Sequence, residues 1–171
     1  MSPPDLHLTE GDGLEALRAH LREKAMEARA KHGPRLGPEA MHRLIADPTV
    51  VRFPTTVVFD DEPLRPGEFG WARPRGDTPH KGFDLVLHTS LESRPDEWPL
   101  AAAYHLVTIN YLDVATSTEA EIFGATLFDL EIDEYYGRLC AIADGLPGAV
   151  PSAEHRLPGD SPSSAPPPHP G

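Results

Sequence analysis

Residues 97–112 carry apolar side chains on nearly every side of a predicted helix. The run contains Leu100, Ala101, Ala102, Ala103, Leu106, Val107 and Ile109. A helix that is apolar around its whole circumference has no face suited to water, so it has to be buried among other elements. A chain of 171 residues with 39% apolar content is long enough to build such a core. The sequence therefore predicts a domain that encloses this helix.

Four further helices are predicted from apolar residues that recur at spacings of three and four. They cover residues 13–32, 38–46, 117–128 and 131–144. Asp12 is placed to cap the first of them. The Thr116–Glu119 pair has the spacing of a capping box before the fourth helix of the chain.

Two strands are predicted between the second helix and the apolar one. Residues 49–59 are rich in β-branched types, and Pro54 within them indicates a bent or edge strand. Residues 83–89 alternate between apolar and polar types. The Pro- and Gly-rich residues 60–82 are expected to form a long hairpin excursion, with Phe69 and Trp71 folded back, or a flap. This order of elements predicts an α+β fold, with a small sheet packed on a mainly helical body.

Proline content suggests where the domain ends. Residues 147–171 hold eight of the 20 prolines, mixed with Ser, Gly and Ala. Such a segment offers too little apolar area to offset the entropy of ordering, so a disordered tail is expected. Residues 1–11 are expected to be a flexible N-terminus, and residues 12–146 a single α+β domain.

The charge of the chain is uneven. The net charge is −12, and residues 96–145 contain ten acidic residues and one base, Arg138. This acidic region is interpreted either as a solubilising surface or as a docking face for a basic protein partner. The shortage of bases argues against nucleic-acid binding.

Features that the sequence lacks limit where in the cell the protein is expected to act. No apolar run approaches the roughly 20 residues needed to span a bilayer, and no signal-peptide pattern opens the chain, so a cytoplasmic protein without a membrane partner is expected. Cys140 is the single cysteine, which excludes an internal disulfide.

Residues 83–128 resemble the core of zincin-like metallopeptidases. In that family a strand leads into a helix with the pattern H-E-x-x-H, and the next helix supplies an acidic third ligand. Here His105 takes the first His position, Leu106 replaces the glutamate and Ile109 replaces the second His. Glu119 or Glu121 matches the third ligand. The resemblance therefore implies a zincin-like scaffold that has lost its metal and its peptidase activity.

Other interpretations of the same residues stay open. A lone His on an apolar helix is commonly a core residue. Alternatively, His88, His105 and Glu121 form a rearranged metal site. Asn110 and Asp113 are candidates for orienting a substrate.

The leading functional hypothesis is a non-catalytic protein-interaction module that uses the acidic region and needs no cofactor. One alternative is a metal-dependent hydrolase, with zinc held around His105 and Glu121. The other is a small-ligand-binding module under residues 60–82, which predicts a closed apolar pocket lined by Phe69 or Trp71.

Overall fold

A computed structural model gives the architecture of the chain and describes residues 10–147. Five helices and three strands follow one another in the order α1 Glu10–His32, α2 Pro38–Ala46, β1 Thr55–Phe59, β2 Gly70–Pro74, β3 Phe83–Leu87, α3 Trp98–Tyr111, α4 Ser117–Leu127 and α5 Ile132–Asp144. The fold class is α+β, as the sequence predicts. The expected disordered tail and most of the expected flexible N-terminus lie outside the described residues.

The sheet has the strand order β1-β3-β2. β1 runs parallel to β3, and β2 runs antiparallel to it. β1 therefore lies at an edge, as Pro54 indicates, and it begins after that proline instead of at residue 49. The other edge strand, β2, lies inside the segment for which the sequence predicts a hairpin excursion or a flap.

β2 escapes sequence-based detection because its composition is unfavourable for a strand. It begins with Gly70 and ends with Pro74, two residue types that are depleted in strands. Phe69 is fully buried, whereas the Trp71 side chain is 42% exposed. The expectation that both aromatic residues fold back is correct for Phe69 and wrong for Trp71. Side chains alternate along a strand, so Trp71 faces away from the side that Gly70 and Ala72 share.

α3 occupies the interior, as its composition predicts. Every residue from Trp98 to Val107 is buried, and the helix contacts β2 and β3 as well as α4. α4 in turn packs against α1 and α5. Within residues 10–147, no helix is both long enough and apolar enough to cross a membrane.

Caps and close contacts fix the helices around α3. The capping box of α4 is confirmed, because the Thr116 backbone N–H donates to Glu119 Oε2 at 2.8 Å and the Thr116 hydroxyl donates to the same oxygen. The Asp12 cap is wrong, since α1 already begins at Glu10. The Tyr135 hydroxyl of α5 donates to the carbonyl oxygen of Leu100 at 2.8 Å. The Tyr135 bond attaches the first turn of α5 to α3, whereas the Thr116–Glu119 bonds fix the first turn of α4 itself.

Candidate functional site

A cavity of about 210 Å³ lies where β2, α3 and the start of α4 meet. It is only half enclosed, so it opens to solvent on one side. The residues that decide its chemistry are Gly70, Ala72, His105, Thr108, Thr116 and Ser117.

His105 forms part of the cavity wall and is 5% exposed. Its ring contacts Phe69 and Tyr104 edge-on, with centroids 5.5 and 5.3 Å away. The buried Nε2 atom has no hydrogen-bond partner among the described residues. Burial lowers the pKa of His105 to about 4, so the imidazole is neutral at pH 7.

Gly70 allows β2 to pass directly over this imidazole. A Cβ atom at position 70 would lie 2.9 Å from His105 Nε2 and 2.9 Å from the Val86 carbonyl oxygen. Only a residue without a side chain fits at that separation. Gly70 therefore lies directly against Nε2, which is buried although His105 lines the cavity.

The free edge of β2 directs peptide groups toward the cavity. The Phe69 carbonyl accepts a hydrogen bond from the His88 N–H at 2.9 Å, and the Arg75 N–H donates to the carbonyl of Gly82 at 3.0 Å. In an antiparallel ladder the residues that bond to the partner strand alternate with residues whose N–H and C=O groups point outward. Gly70 and Ala72 belong to the outward set, and both line the cavity.

Glu119 is buried completely but serves the helix cap. Besides its bonds from Thr116, Oε1 accepts a hydrogen bond from Arg18 Nε at 3.1 Å. Burial raises the pKa of Glu119, but the hydrogen bonds from Thr116 and Arg18 outweigh this effect and hold the pKa below its ordinary value. Glu119 thus lies behind Thr116 as a charged structural group.

Three of the other residues singled out from the sequence lie away from the cavity. Glu121 is half-buried on α4, and its charge adds to burial in raising the pKa of Tyr135. Asp113 is exposed in the short turn after α3. His88 Nδ1 accepts a hydrogen bond from the Ser90 N–H at 3.1 Å, which caps the turn that follows β3.

Asn110 joins α3 to the segment before β1. Its Oδ1 accepts a hydrogen bond from the Arg52 N–H, and its Nδ2 donates to the Val50 carbonyl, both at 2.8 Å. Both ends of the buried amide are therefore engaged with backbone, which makes Asn110 a structural residue in this arrangement.

The residues proposed for a rearranged metal site are not brought together. Of these, only His105 lines the cavity, while His88 faces Ser90 and Glu121 acts on Tyr135. Among residues 10–147, no group of three or more His, Cys, Asp or Glu side chains is arranged to hold a metal ion. The donor set here does not fit a zinc centre of the kind that the family pattern implies.

Several residues of the cavity gave no signal in the sequence. Gly70, Ala72, Thr108 and Ser117 belong to no recognisable motif, and they meet only because β2 folds onto α3. The residues of the cavity that the sequence did single out are Trp71, His105 and, through its capping box, Thr116. Trp71 and the rest of β2 come from residues 60–82, the segment that the small-ligand hypothesis places over its pocket.

The acidic region is partly neutralised within the molecule. Glu119 pairs with Arg18, Asp129 with Arg29 at 3.4 Å, and Glu134 with Arg138 at 3.3 Å. These pairs reduce the free negative charge that the sequence assigns to a docking face. A basic protein partner for this region stays a prediction.

No protein family, curated protein or solved structure matches this chain. The zincin-like resemblance therefore stays a prediction as well.

Proposed function

We propose that this protein is a non-catalytic binding module whose cavity takes a compact, uncharged molecule. One observation supports this proposal above all others: the outward peptide groups of Gly70 and Ala72 reach the same cavity as three hydroxyl side chains. Those hydroxyls belong to Thr108, Thr116 and Ser117, and that of Thr116 can only accept from a ligand because its hydrogen is donated to Glu119. Together they offer both donors and acceptors beside the apolar surface of β2 and α3, which is the usual composition of a small-molecule site.

The charges around the cavity disfavour an anionic ligand. None of its described lining residues is a lysine or an arginine, and Glu68 supplies the one carboxylate. His105 is neutral at pH 7, so it gives no positive charge to attract an anion. A bound anion would meet Glu68 without a compensating cation, which is unfavourable at close range.

The placement of His105 supports a binding role over a catalytic one. A general base has to come within hydrogen-bond distance of the proton that it removes. Nε2 lies beneath Gly70, so a molecule in the cavity cannot reach it unless β2 moves. These observations favour the small-ligand hypothesis, and Trp71 lines the cavity as that hypothesis expects. The cavity differs from the expected pocket because it is open on one side and partly polar, and because Phe69 is buried and does not line it.

Backbone amide spectra measured by NMR test this proposal with two matched probes. We expect benzamide to shift the amide signals of Gly70, Ala72 and Ser117 in a saturable way. Benzoate has the same size and a negative charge, and we expect it to leave those three signals unchanged.

A cavity-filling variant provides the control for position. Thr108→Trp places a bulky side chain in the cavity, so benzamide binding should be lost. Thr118→Trp adds the same bulk to an exposed position next to the cavity on α4 and should leave binding intact. Equal shifts from benzoate, or binding that survives Thr108→Trp, would contradict the proposal.

A further inference from the structure

We propose that a second cleft, on the opposite edge of the sheet, binds a small organic anion. This cleft has a volume of about 450 Å³ and lies between the end of α2 and the start of β1. Arg52 and Arg75 both line it, and none of its described lining residues is acidic. In a protein of net charge −12, a cleft with two guanidinium groups and no carboxylate is a local exception.

Arg52 is held in place without a carboxylate partner. Its Nη1 donates to the Asn110 carbonyl oxygen at 3.2 Å, and its guanidinium lies 5.1 Å from the centroid of the Phe53 ring. None of the ion pairs among the described residues includes Arg52. The side chain is therefore ordered in advance while its charge remains available, which lowers the entropic cost of binding an anion.

Arg75 contributes a second positive charge that is only partly compensated. Its Nε donates to Asp84 Oδ1 at 3.0 Å, and Arg73 donates to the other oxygen of the same carboxylate at 3.2 Å. Two guanidinium groups thus share one carboxylate. Arg75 Nη2 also donates to the Thr56 hydroxyl oxygen at 2.6 Å, which leaves the Thr56 hydrogen free to bond to a ligand.

The edge of β1 adds a backbone donor. The Pro54 carbonyl accepts from the Phe83 N–H at 2.8 Å, and the Asp60 N–H donates to the Leu87 carbonyl at 2.9 Å. In a parallel ladder this pattern assigns the even-numbered residues of β1 to β3 and turns the Thr55 peptide group outward. Thr55 lines the cleft, so its N–H lies on the side of the two arginines.

The other residues that line the cleft are apolar, and they indicate that the ligand carries an apolar group beside its anion. Ile45, Val51 and Phe53 supply apolar surface beside the guanidinium groups. A carboxylate or phosphate monoester attached to a small apolar group would use both parts, since guanidinium pairs bidentately with either anion.

Three probes with one shared ring test the inference. Benzoate and phenyl phosphate should each shift the amide signals of Thr55 and Thr56 and the Nε–H signals of Arg52 and Arg75, with saturation. The two probes distinguish a carboxylate site from a phosphate site, and either result supports the inference. Uncharged benzamide should leave these signals in place.

Matched variants locate the binding. Arg52→Gln should weaken the tighter anion about tenfold, since a charge-assisted hydrogen bond and a Coulomb interaction are lost. Arg43→Gln removes the same charge from an exposed position on α2 that does not line the cleft, and should change affinity little. An equal loss in both variants, a linear response without saturation, or binding of benzamide at Thr55 would overturn the inference. These signals belong to the β1 edge, so the result is independent of whether the β2 cavity binds anything.

Discussion

The neighbouring helices α3 and α4 bury a histidine and a glutamate, respectively, and the two side chains are accommodated in opposite ways. His105 of α3 is 5% exposed, and its Nε2 has no partner among the described residues. Glu119 of α4 is 0% exposed and accepts hydrogen bonds from Thr116 and Arg18. The pKa of the histidine is lowered by burial, whereas that of the glutamate is lowered by its donors in spite of burial.

This difference teaches that partners, and not depth, decide the charge state of a buried group. A buried histidine without a partner becomes neutral because desolvation penalises its cationic form. A buried glutamate remains charged where donors replace the water that it has lost. The neutral group borders the candidate cavity, while the charged group holds the helix end that forms the wall of that cavity.

The largest loss of stability is expected when the Glu119 carboxylate is removed. Glu119→Ala leaves the Thr116 N–H and the Arg18 guanidinium without their acceptor, and should lower the free energy of unfolding by about 3 kcal/mol. Urea denaturation measures the change. Glu119→Gln keeps an acceptor for the cap and should lose clearly less. A cost below about 1 kcal/mol for the alanine variant would show that the network is not stabilising.

The next effect is a dependence of stability on pH that comes from His105. Its pKa is about 4 when folded and near 6.5 when unfolded, so the unfolded chain binds more protons between these values. Stability is therefore fully present above pH 6.5 and falls as the pH drops toward 4, by up to about 3 kcal/mol.

A leucine variant isolates this contribution. His105→Leu removes the titrating group and the unpaired nitrogen together, so its stability at pH 7 should stay within about 1 kcal/mol of the wild type. The difference between the two proteins should change with pH over this interval. Parallel stability curves from pH 7 to pH 4 would show that His105 does not titrate as a buried group.

The smallest change in stability is expected when the capping hydroxyl alone is removed and the ion pair is kept. Thr116→Ala removes the hydroxyl of the capping box but leaves the Arg18–Glu119 pair, and should cost about 1 kcal/mol. Thr118→Ala, at an exposed position two residues further on, should cost close to nothing. Thermal unfolding of the two variants gives the comparison. Equal melting temperatures would show that the Thr116 hydroxyl does not stabilise the protein.

Local signals were sufficient for the helices and for part of the sheet. The bounds of α2 agree with the prediction residue for residue. Those of α4 and α5 differ from it by one residue at one end, and those of α3 by one residue at each end. These helices have recognisable start signals in the sequence, with a proline at the start of α2 and a capping box at α4. Two of the three strands, β1 and β3, were predicted, and β2 was missed because it has neither a run of β-branched residues nor clean alternation.

Much less of the candidate site could be predicted from local sequence signals. His105 was singled out through a family pattern, and the structure places it at a cavity for which that pattern gave no reason. Of the other five residues singled out, Asn110, Glu119 and His88 have structural bonds, and Glu121 and Asp113 lie elsewhere. A motif reports which side chains are present at a spacing, but it does not report what the neighbouring elements place against them.

The sequence by itself determined that α3 is buried, because a helix with apolar residues on every side has no stable position in water. It also determined the α+β class, through the spacing of apolar residues along its helices and strands and through the residues that begin and end them. Only the tertiary structure decided which polar groups meet at β2, since residues 70–72, 104–108 and 115–117 are far apart in the chain. Their meeting depends on Gly70, whose missing side chain lets one strand edge approach His105 closely enough to form the cavity.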